Sequence, residues 1–236
     1  MNAAVQAITW PGLALSFLPT VVVIGIMYRW TAGAGTAIYS TLRMLIQLLL
    51  IGFVLVYIFQ ADSPPIVIGV LAIMLLAASW IAIRPVQKQR GVYRNALLSI
   101  SVSGVLVLVL VSQFVIGVDP WFSPRYLVPL AGMIFAGAMN TVSLAAERLQ
   151  AEIGRGESFF EARRVALQAA LIPMINSLLA VGLVSLPGMM TGQILSGVSP
   201  FVAAKYQIVV MSMLFGVSGL SAVMFLTLQH RSADDG

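Results

Sequence analysis

Seven apolar runs, at about 10–28, 37–59, 65–83, 95–117, 126–145, 168–187 and 203–228, set the terms for this chain. A helix that crosses a bilayer needs about 20 apolar residues, and each run meets or nearly meets that length. Soluble domains carry about a quarter charged residues, whereas only 9% of these 236 residues are charged and 60% are hydrophobic. The reading is an all-α polytopic membrane helix bundle of about seven spans, in one transmembrane domain over 1–236. Pro11 and Pro19 make the outer end of the first run irregular. The sixth run begins inside a polar amphipathic stretch and ends in a Gly/Pro-rich one.

Charge orients the runs. With the N-terminus outside, ten of the thirteen basic residues fall in cytoplasmic positions: Arg29, Arg84, Lys88, Arg90, Arg94, Arg148, Arg155, Arg163, Arg164 and Arg231. Arg125 and Lys205 fall on the other side with Asp62 and Asp119, and Arg43 lies within the second run. The positive-inside bias selects this arrangement, N-terminus outside and C-terminus cytoplasmic. The net charge of +5 is then a record of topology, and no nucleic-acid partner is expected. The absence of cysteine excludes disulfides, Fe–S clusters and thiolate metal sites. MNAAVQAITW has no basic segment ahead of an apolar one, so no cleaved signal peptide is expected.

Two polar segments interrupt the pattern. GLVSLPGMMTGQILSG (182–197) holds four glycines and the Pro187-Gly188 pair. Proline removes a backbone donor and glycine weakens a helix interior. Such backbone is tolerated at membrane depth where protein buries it or where it lines a wet cavity. A tight turn outside the membrane would serve as well. The longest inside loop, about 146–167, contains SFFEARRVALQAALIP. Ser158 followed three residues later by Glu161 fits a capping box. Phe159, Phe160, Ala162, Ala166, Ala169 and Ala170 form its apolar side, with Arg163, Arg164 and Gln168 wet. This is either a helix lying on the headgroups or a docking helix for a cytoplasmic partner.

No phosphate-binding glycine loop and no G-x-S-x-G is present, so no catalytic residue is assigned and the chain is read as a non-enzyme. Leu195-Ser196-Gly197 echoes an ATPase signature loop by chance. His230, the sole histidine, suits a helix C-terminus better than a metal. Carboxylates are absent from every run interior, which leaves no proton relay of the kind that pumps carry. Polar groups within the runs are few. Arg43 and Gln47, four apart, share one helix face as an intramembrane anchor or a snorkelling pair. Asn140 and Thr141 follow the small-residue run Ala131-Gly132…Ala136-Gly137-Ala138, which permits close helix packing. Asn176 and Ser177 follow Pro173, and Gln207 follows Tyr206. Twelve methionines are present. Met133, Met139, Met174, Met189, Met190, Met211 and Met213 gather in the last three runs and the Gly/Pro segment. Thioethers suit soft copper(I) but also fill apolar gaps. Packing is the ordinary role, with Met189 and Met190 the metal candidates because they sit beside the break.

The run ALIPMINSLLAVGLVSLPGMMTGQILSGVSPFVAAKYQIVVM (170–211) resembles the permease family of bacterial iron-exporting ABC transporters, whose plant relatives act in aluminium resistance. Arg43-x-x-x-Gln47-Leu48 with Gly52, and Pro129-x-Ala131-Gly132-Met133-Ile134 with Asn140, extend the likeness over most of the chain. The loop at 152–162 is shorter than is usual there and lacks the family's Gly-Ala-Thr/Ser turn, with Gly154 or Gly156 in its place. The resemblance implies a permease subunit that dimerises, sits in the inner membrane and exports metal. It implies that a separate cytoplasmic ATPase subunit binds ATP-Mg, with no cofactor on this chain. The expected path is lined by the fifth to seventh runs, through Asn140, Asn176, Ser177, Pro187, Gly188, Met189, Met190 and Gln207. Coupling to the ATPase falls to Gly154, Glu157, Phe159, Phe160, Glu161, Arg163 and Arg164. The rival readings are a stand-alone secondary transporter, for which an inverted repeat is the usual mark and none is evident, and a membrane scaffold or assembly protein.

Overall fold

The computed structural model describes residues 8–60, 63–86 and 91–234, with side chains as far as His230 at the C-terminal end. Asp62, Lys88, Arg90 and the side chain of Arg231, which entered the charge argument, lie outside the described residues. The chain forms two compact units, divided after Gln60.

The first unit holds α1 (Trp10–Leu15), α2 (Leu18–Arg29) and α3 (Ala34–Phe59). Thr9 caps α1, its hydroxyl accepting from the Gly12 amide at 3.3 Å. Pro11 and Pro19 each stand in the first turn of a helix, where a missing N–H costs nothing. The irregularity expected from these prolines is therefore a clean break at Ser16-Phe17. α2 packs on α3. Ala34 is the only buried residue of the three helices, and Phe53 and Tyr57 are 74% and 77% exposed. Helices that leave so many large apolar side chains exposed belong against lipid or other protein.

The second unit begins with α4 (Pro64–Ala82), followed by a 3-10 turn (Arg84–Val86). Then come α5 (Val92–Val109), running on into a π-helical segment (Leu110–Ile116), and α6 (Pro124–Gly154). α7 (Phe159–Ala180), α8 (Gly188–Leu195) and α9 (Pro200–Asp234) complete it. α6 packs against α4, α5, α7 and α9. Its fully buried Ala131, Ala138 and Ala145 explain how four neighbours fit around one helix. At Gly104 of α5, a Cβ would stand 2.9 Å from the Phe135 ring of α6. Gly104→Val should therefore lower stability by about 1–3 kcal/mol through overpacking, read as a fall in the unfolding midpoint in detergent. An unchanged midpoint would mean that α5 and α6 can separate freely.

One end of this unit gathers the start of α5, the end of α6, the start of α7 and the end of α9. There the Asn95 amide donates to Gln229 Oε1 at 3.1 Å, and the Phe159 and His230 rings meet edge to face at 4.7 Å. Arg84, Arg94, Arg148, Arg155, Arg163 and Arg164 all belong to this end, and Arg125 and Lys205 to the opposite one. Glu152, buried at the end of α6, takes Arg148 at 2.6 Å and Arg155 at 2.8 Å. One carboxylate thus neutralises part of an otherwise repulsive cluster.

The membrane bundle expected from the sequence is the observed one. Among the described residues, six helical stretches are long and apolar enough to cross: Trp10–Arg29, Ala34–Phe59, Pro64–Ala82, Val92–Ile116, Pro124–Gly154 and Pro200–His230. The seventh expected span, 168–187, differs. Its helix starts earlier, at Phe159, ends at Ala180, and carries Glu161, Arg163, Arg164 and Gln168 in its first half. The amphipathic helix expected near 158–167, for the headgroups or for a docking partner, is the first part of α7. The polar loop is also shorter than expected, because α6 stays helical through Gly154.

Candidate functional site

The site is built where α7 ends and α9 begins. Ser158 caps α7 by accepting from the Glu161 amide at 3.3 Å, as the Ser-x-x-Glu spacing implies. The Glu161 carboxylate binds Arg164 at 2.9 Å. Ala162, Ala166 and Ala170, four apart, are buried, and α7 packs along α6. Phe160 departs from the expected apolar side. It is 62% exposed and lies under the Arg163 guanidinium, 5.0 Å from the ring centroid. Glu157, Gly154 and Arg164 are exposed. Gly154 closes α6, while Gly156 (φ +91°) makes the turn.

At the far end of α7, Ser177 Oγ donates to the Pro173 carbonyl at 2.9 Å. The chain then turns tightly. The amides of Leu183, Val184 and Ser185 all converge on the Ala180 carbonyl, at 3.2, 2.8 and 3.2 Å. Gly182 (φ +84°) permits that turn. Pro187 starts α8. Gly197 (φ +96°) ends it, its amide donating to Ile194 and that of Val198 to Gln193, both at 3.0 Å. The Gly/Pro segment is therefore a hydrogen-bonded turn followed by a short capped helix. Gly188 has open space around it and no positive φ.

Between α6, α7, α8 and α9 lies a cleft of about 570 Å³. Asn176, Ser177, Pro187, Met189 and Gln207 line it, together with Met133, Met174, Met211 and Ser185. Gln207, Met211 and Leu214 are spaced to share one face of α9, and Gln207 is only 7% exposed. A second cleft of about 400 Å³ adjoins it through the shared walls Met133, Met189 and Val210, and reaches Arg125, Tyr126, Gln193 and Tyr206. Gln193 Oε1 is buried and has no hydrogen-bond partner.

Three expected path residues lie elsewhere. Asn140 is an exposed residue of α6, and neither it nor Gly188 nor Met190 lines either cleft. Arg43 and Gln47 belong to the first unit, where Gln47 lines a shallow groove on α3 with Leu48, Leu50, Ile51 and Val54 and Arg43 is half-buried. Sequence reasoning did not single out Gln193, Tyr126 or Arg125 as cleft residues; it read Met174 and Met211 as packing although they line the larger cleft, and Met133, also read as packing, both packs against the core and lines the two clefts. The available signal was the single side-chain amide, Gln193, in a short helix whose other polar side chain is Thr191. Met139 and Met213 do pack in the core. Among the described residues no group of three or more His, Asp or Glu could hold a metal.

The uncharacterised protein family UPF0014 matches residues 10–233. A UPF0014 membrane protein of Synechocystis is 32% identical over 98% of this chain and 88% of its own length. The probable iron export permease protein FetB of Escherichia coli is 32% identical, covering 95% of this chain and 92% of FetB. The protein ALUMINUM SENSITIVE 3 of Arabidopsis thaliana is 34% identical over 80% of this chain and 74% of its own. No solved structure matches.

Proposed function

The chain belongs to the UPF0014 family of membrane proteins, and from that premise we propose that it is the permease subunit of an ABC transporter that exports a metal ion. ATP hydrolysis, with its Mg, takes place on a separate cytoplasmic subunit. Two copies of the permease assemble in the inner membrane, since symmetric pairing is the usual way for one short chain to enclose a path. The name of FetB supports the cargo class. The observation that carries the reading is α7. Its 22 residues run for about 33 Å from the arginine-rich end to the wall of the cleft. A push on Phe160 and Arg163 by a cytoplasmic partner would reach Asn176 and Ser177 through one continuous helix.

Co-expression with a candidate ATPase subunit tests the assembly. A stable complex whose ATPase activity responds to the permease is expected. A permease that never retains an ATPase, and whose transport ignores ATP, would overturn it. The cysteine-free sequence also allows orientation to be measured directly. Arg155→Cys should react with an impermeant maleimide only from the cytoplasmic side, and Ser185→Cys only from outside. The reverse pattern would invert the export path.

A further inference from the structure

The walls of the larger cleft are chemically selective. Four of its lining residues, Met133, Met174, Met189 and Met211, carry thioethers. Its polar groups, Asn176, Ser177, Ser185 and Gln207, are all neutral. No carboxylate or imidazole lines either cleft among the described residues, and the chain has no thiolate to offer. A hard trivalent ion that sheds water here would meet only neutral dipoles in place of the anionic oxygens that such ions require. The next compartment presents Arg125, and the repulsion it exerts grows in proportion to the charge of the passing ion. A soft monovalent ion suffers the smallest repulsion and gains the most from thioethers. Met133 and Met189 line both compartments, so such an ion would keep a sulfur ligand while moving from one to the other.

We propose that the cleft between α6, α7, α8 and α9 is a thioether site for soft monovalent cations of the Cu(I) and Ag(I) class, formed by Met133, Met174, Met189 and Met211. The proposal rests on the transporter reading for its physiological meaning, but the binding site itself can be tested without transport. The full-length permease in lipid nanodiscs is titrated with Ag(I), a redox-stable probe, by calorimetry. The wild-type protein should show one saturable site. Loss of ligands should weaken it: Met133→Leu/Met174→Leu/Met189→Leu by at least about tenfold, and Met174→Leu or Met189→Leu singly in the same direction. Leucine keeps the apolar volume, and thermal melts check that each variant is folded. Met213→Leu, a buried core position that lines neither cleft, should bind as wild type.

Equal Ag(I) affinity in the wild type and the folded single variants would overturn the site, as would no binding by the wild type or an equal loss in Met213→Leu. ATP-driven export of iron by a protein that binds no Ag(I) would remove the soft site and leave the permease reading intact. A methionine-dependent Ag(I) site in a protein that ignores ATP would support the site and remove that reading.

Discussion

Ala166→Leu is expected to abolish ATP-coupled transport while leaving the chain in the membrane. Ala166 is fully buried at the centre of the alanine face of α7, where α7 packs closely along α6. Three extra carbons at this point must push the two helices apart or force strained rotamers, at a cost of about 1–3 kcal/mol. The displacement would fall between the arginine-rich end of α7 and Asn176 at the cleft, so motion at one end would no longer be delivered to the other. The diagnostic result is a variant that still retains the ATPase and hydrolyses ATP but no longer moves metal. Ala169→Leu, one residue from that buried face, should have the smaller effect. Equal transport by Ala166→Leu and the wild type would mean that α7 does not carry the coupling.

The largest loss of stability is expected at Phe225→Ala. Phe225 is fully buried in α9, in the same core cluster as Ile134, Ala138 and Val142 of α6. Truncating a buried phenylalanine costs about 3–5 kcal/mol in soluble cores. In a membrane bundle the surrounding lipid is as apolar as the core, so the transfer part of that cost shrinks while the lost packing contacts remain. A value at the lower end, about 3 kcal/mol, is therefore expected from denaturant titration in mixed micelles. Phe114→Ala, at a position 79% exposed, should change stability little. A loss equal to that of Phe225→Ala would show that burial within the bundle does not set the cost.

The fold was legible to the degree that it follows from apolar length and charge placement. The spans at 37–59 and 65–83 are close to α3 and α4 because long apolar runs bounded by Gly33, Gln60 and Ser63 admit few other endings. The Ser158 cap was legible because capping depends on four neighbouring residues alone. The bounds of α7, Phe159–Ala180 in place of 168–187, were not, because its first half is polar on the surface and alanine-lined where it meets α6. Alanine at 162, 166 and 170 is a weak apolar signal until the partner helix is present. The same limit explains Phe160. Its hydrophobicity placed it on the buried face, but its angular position on the helix exposes it, and Arg163 covers it instead. In the cleft, Asn176, Ser177, Met189 and Gln207 were legible as polar or soft groups in apolar runs. Asn140 carried the same signal but lies on an exposed side of α6, since a residue's polarity alone does not fix which way it faces. Gln193 and Arg125 were missed because they come to line one cleft only when α8 folds back beside the start of α6 and α9.

The proposed function requires that metal cross through the cleft between α6 and α9 under power from a separate ATPase. The most direct measurement is metal uptake into inside-out proteoliposomes that contain the permease with its ATPase, comparing wild type with Gln207→Leu. Gln207 lines the cleft and none of the interface expected to dock the ATPase, so the substitution should leave ATP hydrolysis in place. ATP-dependent uptake is expected from the wild type, falling about tenfold or more in Gln207→Leu, as loss of a buried polar contact to cargo would give. ATP-independent uptake by the wild type, or undiminished uptake by Gln207→Leu, would contradict the proposed function.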